Sequence, residues 1–276
     1  MNRPHTVLAA LIVAAMIIPQ SLFASSGGAP LPQEDWRFRG IFGQFDTKAL
    51  KRGAKVASEV CLGCHSIKYI KFDALRAFGF SEAEIDKMAA AQGRTKKDRM
   101  LSAMEPAAAK ESFNVVPPDL SLITKARKGY EDYVFGILVG YVKPEEMELV
   151  KRVMADDKLT EEELKEVASR LSLDAHHPEK VKETLARIIK GDQFNRYFPG
   201  NFFAMPQPLS AGQVEYTDGT ENTLPQMARD VVTFLAWAAE PTAPERKSTG
   251  HMVLLYLVVL TAMLYAVKKR IWSRVH

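Results

Sequence analysis

The sequence predicts an all-α protein, one exported helical domain held to a membrane by a single C-terminal helix. Three observations predict it. Apolar positions in the central region repeat at helical spacing wherever a period is clear, and no stretch alternates convincingly as a strand would. Two apolar runs lie at the chain ends, one too short to span a bilayer and one long enough. The only two cysteines, Cys61 and Cys64, are too few to frame a disulfide-stabilised secreted domain. The 276 residues are 47% apolar and 25% charged, an ordinary globular balance that excludes disorder, and 16 Gly and 15 Pro fall at no fixed period.

The N-terminal run, residues 7–18, follows Arg3 and His5 and is followed by Pro19 and a Ser/Ala/Gly-rich stretch. This is the pattern of a secretory signal peptide over residues 1–24, with cleavage after Ala24, although Leu22 is not the usual small residue three positions earlier. A retained N-terminal anchor is the alternative. The C-terminal run, residues 250–267, holds eighteen residues, long enough to cover about 27 Å at about 1.5 Å per residue. Lys268, Lys269, Arg270 and Arg274 follow it, whereas only Arg246 and Lys247 lie close before it. The positive-inside rule then puts the tail, 268–276, in the cytoplasm and the domain, 25–249, outside the inner membrane, with one pass through it. A buried core helix is the alternative for this segment. These four basic residues and Arg3 supply five positive charges, so the net +4 leaves −1 on the body and no basic field for nucleic acid.

Within the domain, residues 46–61 set Leu50, Gly53, Ala54, Ala57, Val60 and Cys61 on one helical face. Thr223 can cap a helix with Pro225 in its first turn and a stripe of Leu224, Met227, Val231, Leu235 and Ala238, stopped by Pro241. Residues 130–141 read as a third, mostly apolar helix. Residues 143–190 differ in composition, with 22 charged residues in 48. They contain a capping box at Thr160 and Glu163 and read as a solvated helical insertion held largely by local propensity.

Chemistry starts at Cys61-Leu62-Gly63-Cys64-His65. Two thiols three residues apart can each add to a vinyl group of one porphyrin while the next imidazole reaches the iron, so C-x-x-C-H reads as a c-type haem attachment site. A redox dithiol would need a βαβ context that is missing, and a zinc half-site would need two further ligands with no third cysteine available. His65 is then one axial ligand. His5, His176, His177, His251 and His276 lie in the leader, the insertion, the membrane boundary and the tail, and are poor partners for it.

A thioether opposite the imidazole favours ferrous iron. Of eleven methionines, Met205 alone lies in an aromatic loop rich in Pro and Gly, Tyr197-Phe198-Pro199-Gly200-Asn201-Phe202-Phe203-Ala204-Met205-Pro206-Gln207-Pro208. Such a loop has to pack on something, and its aromatics suit the apolar face of a porphyrin. Met205 is therefore the candidate second ligand, with a plain core methionine as the other reading.

The chain resembles the cytochrome c1 family in its bacterial form. The resemblance rests on residues 36–45, Arg52-Gly53, Glu59-Val60, Pro117-Pro118-Asp119-Leu120-Ser121, Asp132-Tyr133-Val134-Phe135, Phe198-Pro199-Gly200 and Ala204-Met205-Pro206. It continues through Tyr216-Thr217-Asp218-Gly219-Thr220, 226–232 and Trp237-Ala238-Ala239-Glu240-Pro241. It implies a class I c-type cytochrome-like haem domain, with one haem c thioether-linked at Cys61 and Cys64 and axial ligands His65 and Met205. It further implies that Pro118 packs beside the His65 ring and that Arg127 and Tyr133 approach the haem propionates. The members serve the ubiquinol:cytochrome c reductase (bc1) complex, so the implied partners are cytochrome b, a Rieske iron-sulfur protein as donor and a c-type cytochrome as acceptor, in a dimeric complex.

Val115 and Val116 stand where the family usually has Gly-Ala, and Tyr130 where it has a glycine, so the local turns are expected to differ. An iron with all six positions filled suits single-electron transfer rather than substrate binding, so the chain is expected to be no enzyme on its own but an electron-transfer subunit of one. A membrane-tethered monohaem carrier serving a terminal oxidase and a thiol-disulfide oxidoreductase are the competing readings.

Overall fold

The computed structural model describes residues 29–155 and 160–273. The expected leader, 1–24, and the last residues of the tail, Arg274 and His276 among them, lie outside these. Ten α-helices are found among the described residues, with a small two-stranded ribbon and two 3-10 turns.

Helix α1, Thr47–Glu59, starts where the Asp46 carboxylate accepts hydrogen bonds from the amides of Lys48 and Ala49. It buries Leu50, Gly53, Ala54, Val56, Ala57 and Ser58. Its main partner is α9, Leu224–Ala239, capped by Thr223 with Pro225 in the first turn as the sequence predicts. Beyond the expected stripe, α9 also buries Ala228, Val232, Phe234, Ala236 and Trp237, so most of its circumference lies in the core. The two helices meet backbone to backbone at Gly53, where a Cβ would stand 2.0 Å from the Asp230 carbonyl oxygen and 2.9 Å from Phe234 Cβ. Only glycine fits that crossing. Arg52 ties it on the outer side, with a two-pronged pair to the nearly buried Asp230 at 2.8 and 2.9 Å and a contact to Asp218 at 2.6 Å.

Helix α5, Tyr130–Val139, packs on α9 and on the short α4, Ile123–Ala126. Two acids lie buried in its first turn, Glu131 and Asp132. Asp132 accepts from the Trp36 indole at 2.6 Å, the Glu34 amide at 3.2 Å and Arg39 at 2.9 Å, while Arg39 also holds Glu131 at 2.8 Å. The N-terminal segment is thereby riveted across α5. Tyr130 keeps a left-handed φ of +53° beside Gly129 at +95°. Tyr130 thus bears a conformation that glycine takes without steric cost.

Sequence periodicity misses the ribbon formed by β1, Ile67–Lys71, and antiparallel β2, Arg99–Met100. In β1 the first and fourth residues are buried and the others exposed, so no alternation exists to be read. Between its strands lie a 3-10 stretch, Phe72–Phe78, and α2, Glu82–Ala91, opened by a Ser81/Glu84 capping box; α3, Pro106–Phe113, follows β2.

The insertion forms α6 (Pro144–Ala155), α7 (Glu161–Leu171) and α8 (Pro178–Ile189), and the Thr160/Glu163 capping box is present with both hydrogen bonds. It is not held by local propensity alone, which corrects the expectation. Leu149, Val150, Val153, Leu164, Val167, Leu171, Val181, Leu185 and Ile188 make a second core, closed by Phe194 from the following loop. The charge density concealed three apolar stripes, because each helix shows one narrow face to its two neighbours and the rest to water.

The last helix, α10, spans Ala243–Trp272 and contains an 18-residue window of mean hydropathy 2.0, none of it buried. It outruns the expected 250–267 at both ends. The exposed apolar surface rules out the core-helix alternative.

Replacing Gly53 with alanine is expected to destabilise the domain by at least ~1–3 kcal/mol, since neither backbone can give way, and to lower the thermal unfolding midpoint of the purified protein. Tyr130→Gly should act in the opposite sense. Relief of the left-handed strain, less the extra chain entropy of glycine, is expected to raise the midpoint by about 2 °C in the same assay.

Candidate functional site

The apolar face of α1 runs to Val60, and the chain then tightens into a 3-10 turn over Cys61–Gly63. The Cys61 carbonyl accepts from the amides of both Cys64, at 3.1 Å, and His65, at 2.8 Å. That double acceptance winds Cys61, Cys64 and His65 onto one turn. Leu62 points the other way into the core, and its carbonyl takes the Ala103 amide at 3.0 Å. Both cysteines are half-buried and no disulfide joins them.

The segment containing Pro117 and Pro118 is strapped alongside. Leu120 donates its amide to the Ser66 carbonyl at 2.7 Å, and Asp119 accepts the Lys68 amide at 3.1 Å and the Ser121 amide at 3.0 Å. These contacts set the Pro118 carbonyl oxygen 2.7 Å from His65 Nδ1. A carbonyl only accepts, so Nδ1 carries the proton and Nε2 presents its lone pair. Burial lowers the His65 pKa, partly opposed by the Pro118 carbonyl and Asp119, and favours this neutral imidazole.

Met205 comes from a separate loop fixed to the end of α5. The buried Tyr141 hydroxyl is within hydrogen-bonding distance of the carbonyls of Met205, at 3.0 Å, and Pro206, at 3.2 Å. Burial raises the Tyr141 pKa, so the phenol keeps its proton. Asn195, fully buried, donates to the Ile137 carbonyl at 2.7 Å and accepts the Tyr197 amide at 3.0 Å. Gly140 permits this approach, since a Cβ there would meet Asn195 Oδ1 at 2.6 Å. Arg196 completes the root, pairing with Glu146 of α6 at 2.6 Å and donating to the Gly140 carbonyl at 3.3 Å.

The loop aromatics do not all face one partner. Phe198 stacks on Phe203 at 4.8 Å, and Phe203 leans on Tyr141 at 5.8 Å. Phe202 turns instead into the insertion, edge-on to Phe194 at 5.7 Å and under the Arg187 guanidinium at 3.6 Å. The expectation that these rings serve a porphyrin face is corrected for Phe202, whose partner is the second core.

Arg127 is exposed, and among the described side-chain hydrogen bonds its guanidinium donates only to the Ala126 carbonyl, at 3.3 Å. Its charge nevertheless reaches the half-buried Tyr133, where it works against the rise in pKa that burial imposes. Tyr141, Asn195 and Arg196 are the positioning residues that sequence reasoning missed. Tyr141 sat at the end of an apolar run, and nothing in that pattern shows where a hydroxyl points.

The donor set fits a c-type haem. Two unpaired thiols share a turn with a neutral imidazole whose Nε2 is presented, and a thioether is held on a second, fixed loop. The competing chemistries fit poorly. Burial pushes the Cys61 thiol up to about 12, opposite to the acidic thiolate a redox dithiol needs. Among the described residues no group of three or more His, Cys, Asp or Glu side chains is placed to hold a metal ion.

Comparison with known proteins agrees with this chemistry. The Cytochrome C1 family pattern matches residues 36–275. Cytochrome c1 of Rhodospirillum rubrum is 38% identical over 96% of this chain and 97% of its own length. A cytochrome b/c1 protein of Bradyrhizobium diazoefficiens is 34% identical over 98% of this chain, which spans 40% of that longer protein. A mitochondrial cytochrome c1 haem protein of Arabidopsis thaliana is 33% identical over 89% of this chain and 73% of its own length. One covalently bound c-type haem is the property of these proteins as a group. By length of match, degree of identity and donor set, the chain belongs to the cytochrome c1 family.

Proposed function

We propose that this chain is the haem-bearing electron-transfer subunit of a quinol:cytochrome c oxidoreductase, with Cys61 and Cys64 bound to one haem as thioethers and His65 and Met205 as its axial ligands. Single electrons come from a Rieske iron-sulfur protein and go to a c-type cytochrome outside the membrane. Cytochrome b is the neighbour in the bilayer, the complex is dimeric, and α10 holds the domain on the periplasmic side of the inner membrane. The observation that carries this reading is the His65–Pro118 contact, which leaves one nitrogen presented beside the paired thiols. Full-length similarity to cytochrome c1, and similarity to part of a longer cytochrome b/c1 protein, supports the choice of complex over a lone carrier for an oxidase.

When bound, such a group supplies reversible one-electron exchange at an iron with no open position. The residues of this chain do the rest. The Pro118 carbonyl holds the imidazole in one tautomer and one rotation, as outer partners of metal-bound histidines do. Tyr141 shares its one hydroxyl proton between the carbonyls of Met205 and Pro206, which limits how far the thioether can drift when the charge at the site changes. Arg127 and Tyr133 would serve as the donors for propionate carboxylates, the guanidinium by charge and the phenol by its retained proton.

Mass spectrometry of the mature chain is expected to show the added mass of one haem, and purification from membranes to bring cytochrome b with it. A chain purified alone, with intact haem, would favour the oxidase carrier. Met205→Leu should keep the covalent haem while the midpoint potential drops by about 100 mV or more, within the ~0.8 V over which axial ligands act. An unchanged potential would remove Met205 from the ligand set. Tyr141→Phe deletes the one phenolic proton shared between the two carbonyls, a hydrogen bond of about 0.5–1.5 kcal/mol net. The potential should move little, but the sulfur-to-iron charge-transfer band of the oxidised protein should fade at a lower temperature than in wild type.

A further inference from the structure

The turn at residues 40–43 has no part in the site described above. Its tip carries Ile41 and Phe42, 64% and 75% exposed, more than any other large apolar side chain outside α10 among the described residues. Two exposed side chains of this size at a turn tip need a reason in a folded domain. The turn is also rigid. Gly40 takes φ +75°, Gln44 donates its amide to the Arg37 carbonyl at 3.1 Å, and a Cβ on Gly43 would fall 2.0 Å from the Arg39 carbonyl oxygen. Phe38 and Phe45 stack at its root, 4.8 Å apart.

Its height along α10 is fixed by three contacts. The Lys247 ammonium donates to the carbonyls of Phe38, at 2.6 Å, and Gly43, at 2.8 Å, and His251 Nε2 lies 2.9 Å from the Ile41 carbonyl oxygen. The Phe42 ring stacks on the His251 ring at 5.0 Å. His251 is the residue directly before the uncharged run 252–267. The tip of the turn therefore stands level with the point where α10 enters the bilayer.

We propose that Ile41 and Phe42 are a second membrane contact, inserted into the boundary between lipid headgroups and acyl chains beside α10. The occupant is lipid rather than protein on two counts. A turn tip with two side chains falls far short of the ~800 Å² per partner that a stable protein interface buries. Its level also coincides with the interfacial layer, where an apolar body beside a polar backbone is favoured. The turn then acts as a stay, giving the domain two points of attachment where α10 alone gives one.

Spin labels at Phe42→Cys and Ile41→Cys test this in the complex as purified, reconstituted in phosphatidylcholine–phosphatidylglycerol vesicles. Labels at Glu179→Cys, exposed on α8, and Leu257→Cys, within the uncharged run, set the aqueous and lipid limits. Collision rates with oxygen and with a water-soluble nickel chelate report depth. The oxygen-to-nickel ratio at 41 and 42 should be several-fold above that at 179 and below that at 257. A ratio equal to that at 179 would put the tip in water and overturn the proposal. An immobilised label shielded from both reagents would put a protein there and overturn it equally. The scheme relies on thioether bonds at Cys61 and Cys64 to leave the introduced thiol alone reactive. Wild-type protein taken through the same labelling checks that separately, and any signal from it is subtracted before depth is read.

Discussion

The close approach of α1 and α9 at Gly53 is the constraint on which the remaining structure rests. Helices that touch through backbone rather than side chains leave no room for sliding or rotation, so each residue of α1 stands at a set place relative to α9. The Cys61–Gly63 turn begins two residues after α1 ends, and α9 is separated from α10 by only three residues. One crossing thus locates both the site and the membrane helix. The Arg52–Asp230 pair locks it from the side, at the residue whose carbonyl lies against Gly53.

A second support serves both the Pro118 segment and the methionine loop. The segment presenting the Pro118 carbonyl runs directly into α4, α4 packs on α5, and α5 ends at the residues that grip the methionine loop, Gly140 and Tyr141. His65 and Met205 are 140 positions apart in the chain, yet both are set by contacts to this helix pair and its ends. The Arg196–Glu146 bridge and Phe202 extend the same support into the insertion, so its second core is a buttress for the methionine loop and not an appendage.

Much of this was legible in the residues. The face of α1, the caps of α7 and α9 and the long apolar run of α10 follow from patterns that repeat within a few residues. What was hidden depends on distant partners. Gly53 reads as a small residue on a helix face, and nothing local says that a carbonyl from residue 230 lies against it. The acids at 131 and 132 look like ordinary solvent-facing charges until Trp36 and Arg39 are folded over them. The insertion looked solvated because composition averages over a helix, whereas its core uses three narrow stripes. At the site, the local spacing of Cys61, Cys64 and His65 was plain. The place of Pro118 beside His65 came from family likeness rather than periodicity, and the roles of Tyr141 and Asn195 came from neither.

The clamp of Lys247 and His251 on the turn at 40–43 has a mechanical consequence. The domain is joined to α10 through a stiff collar, with the helix gripped at two levels ahead of its uncharged run. The domain can sway only as far as α10 itself tilts. Any change in the tilt of the domain is then a change in the tilt of α10, and the two turn as one rigid piece.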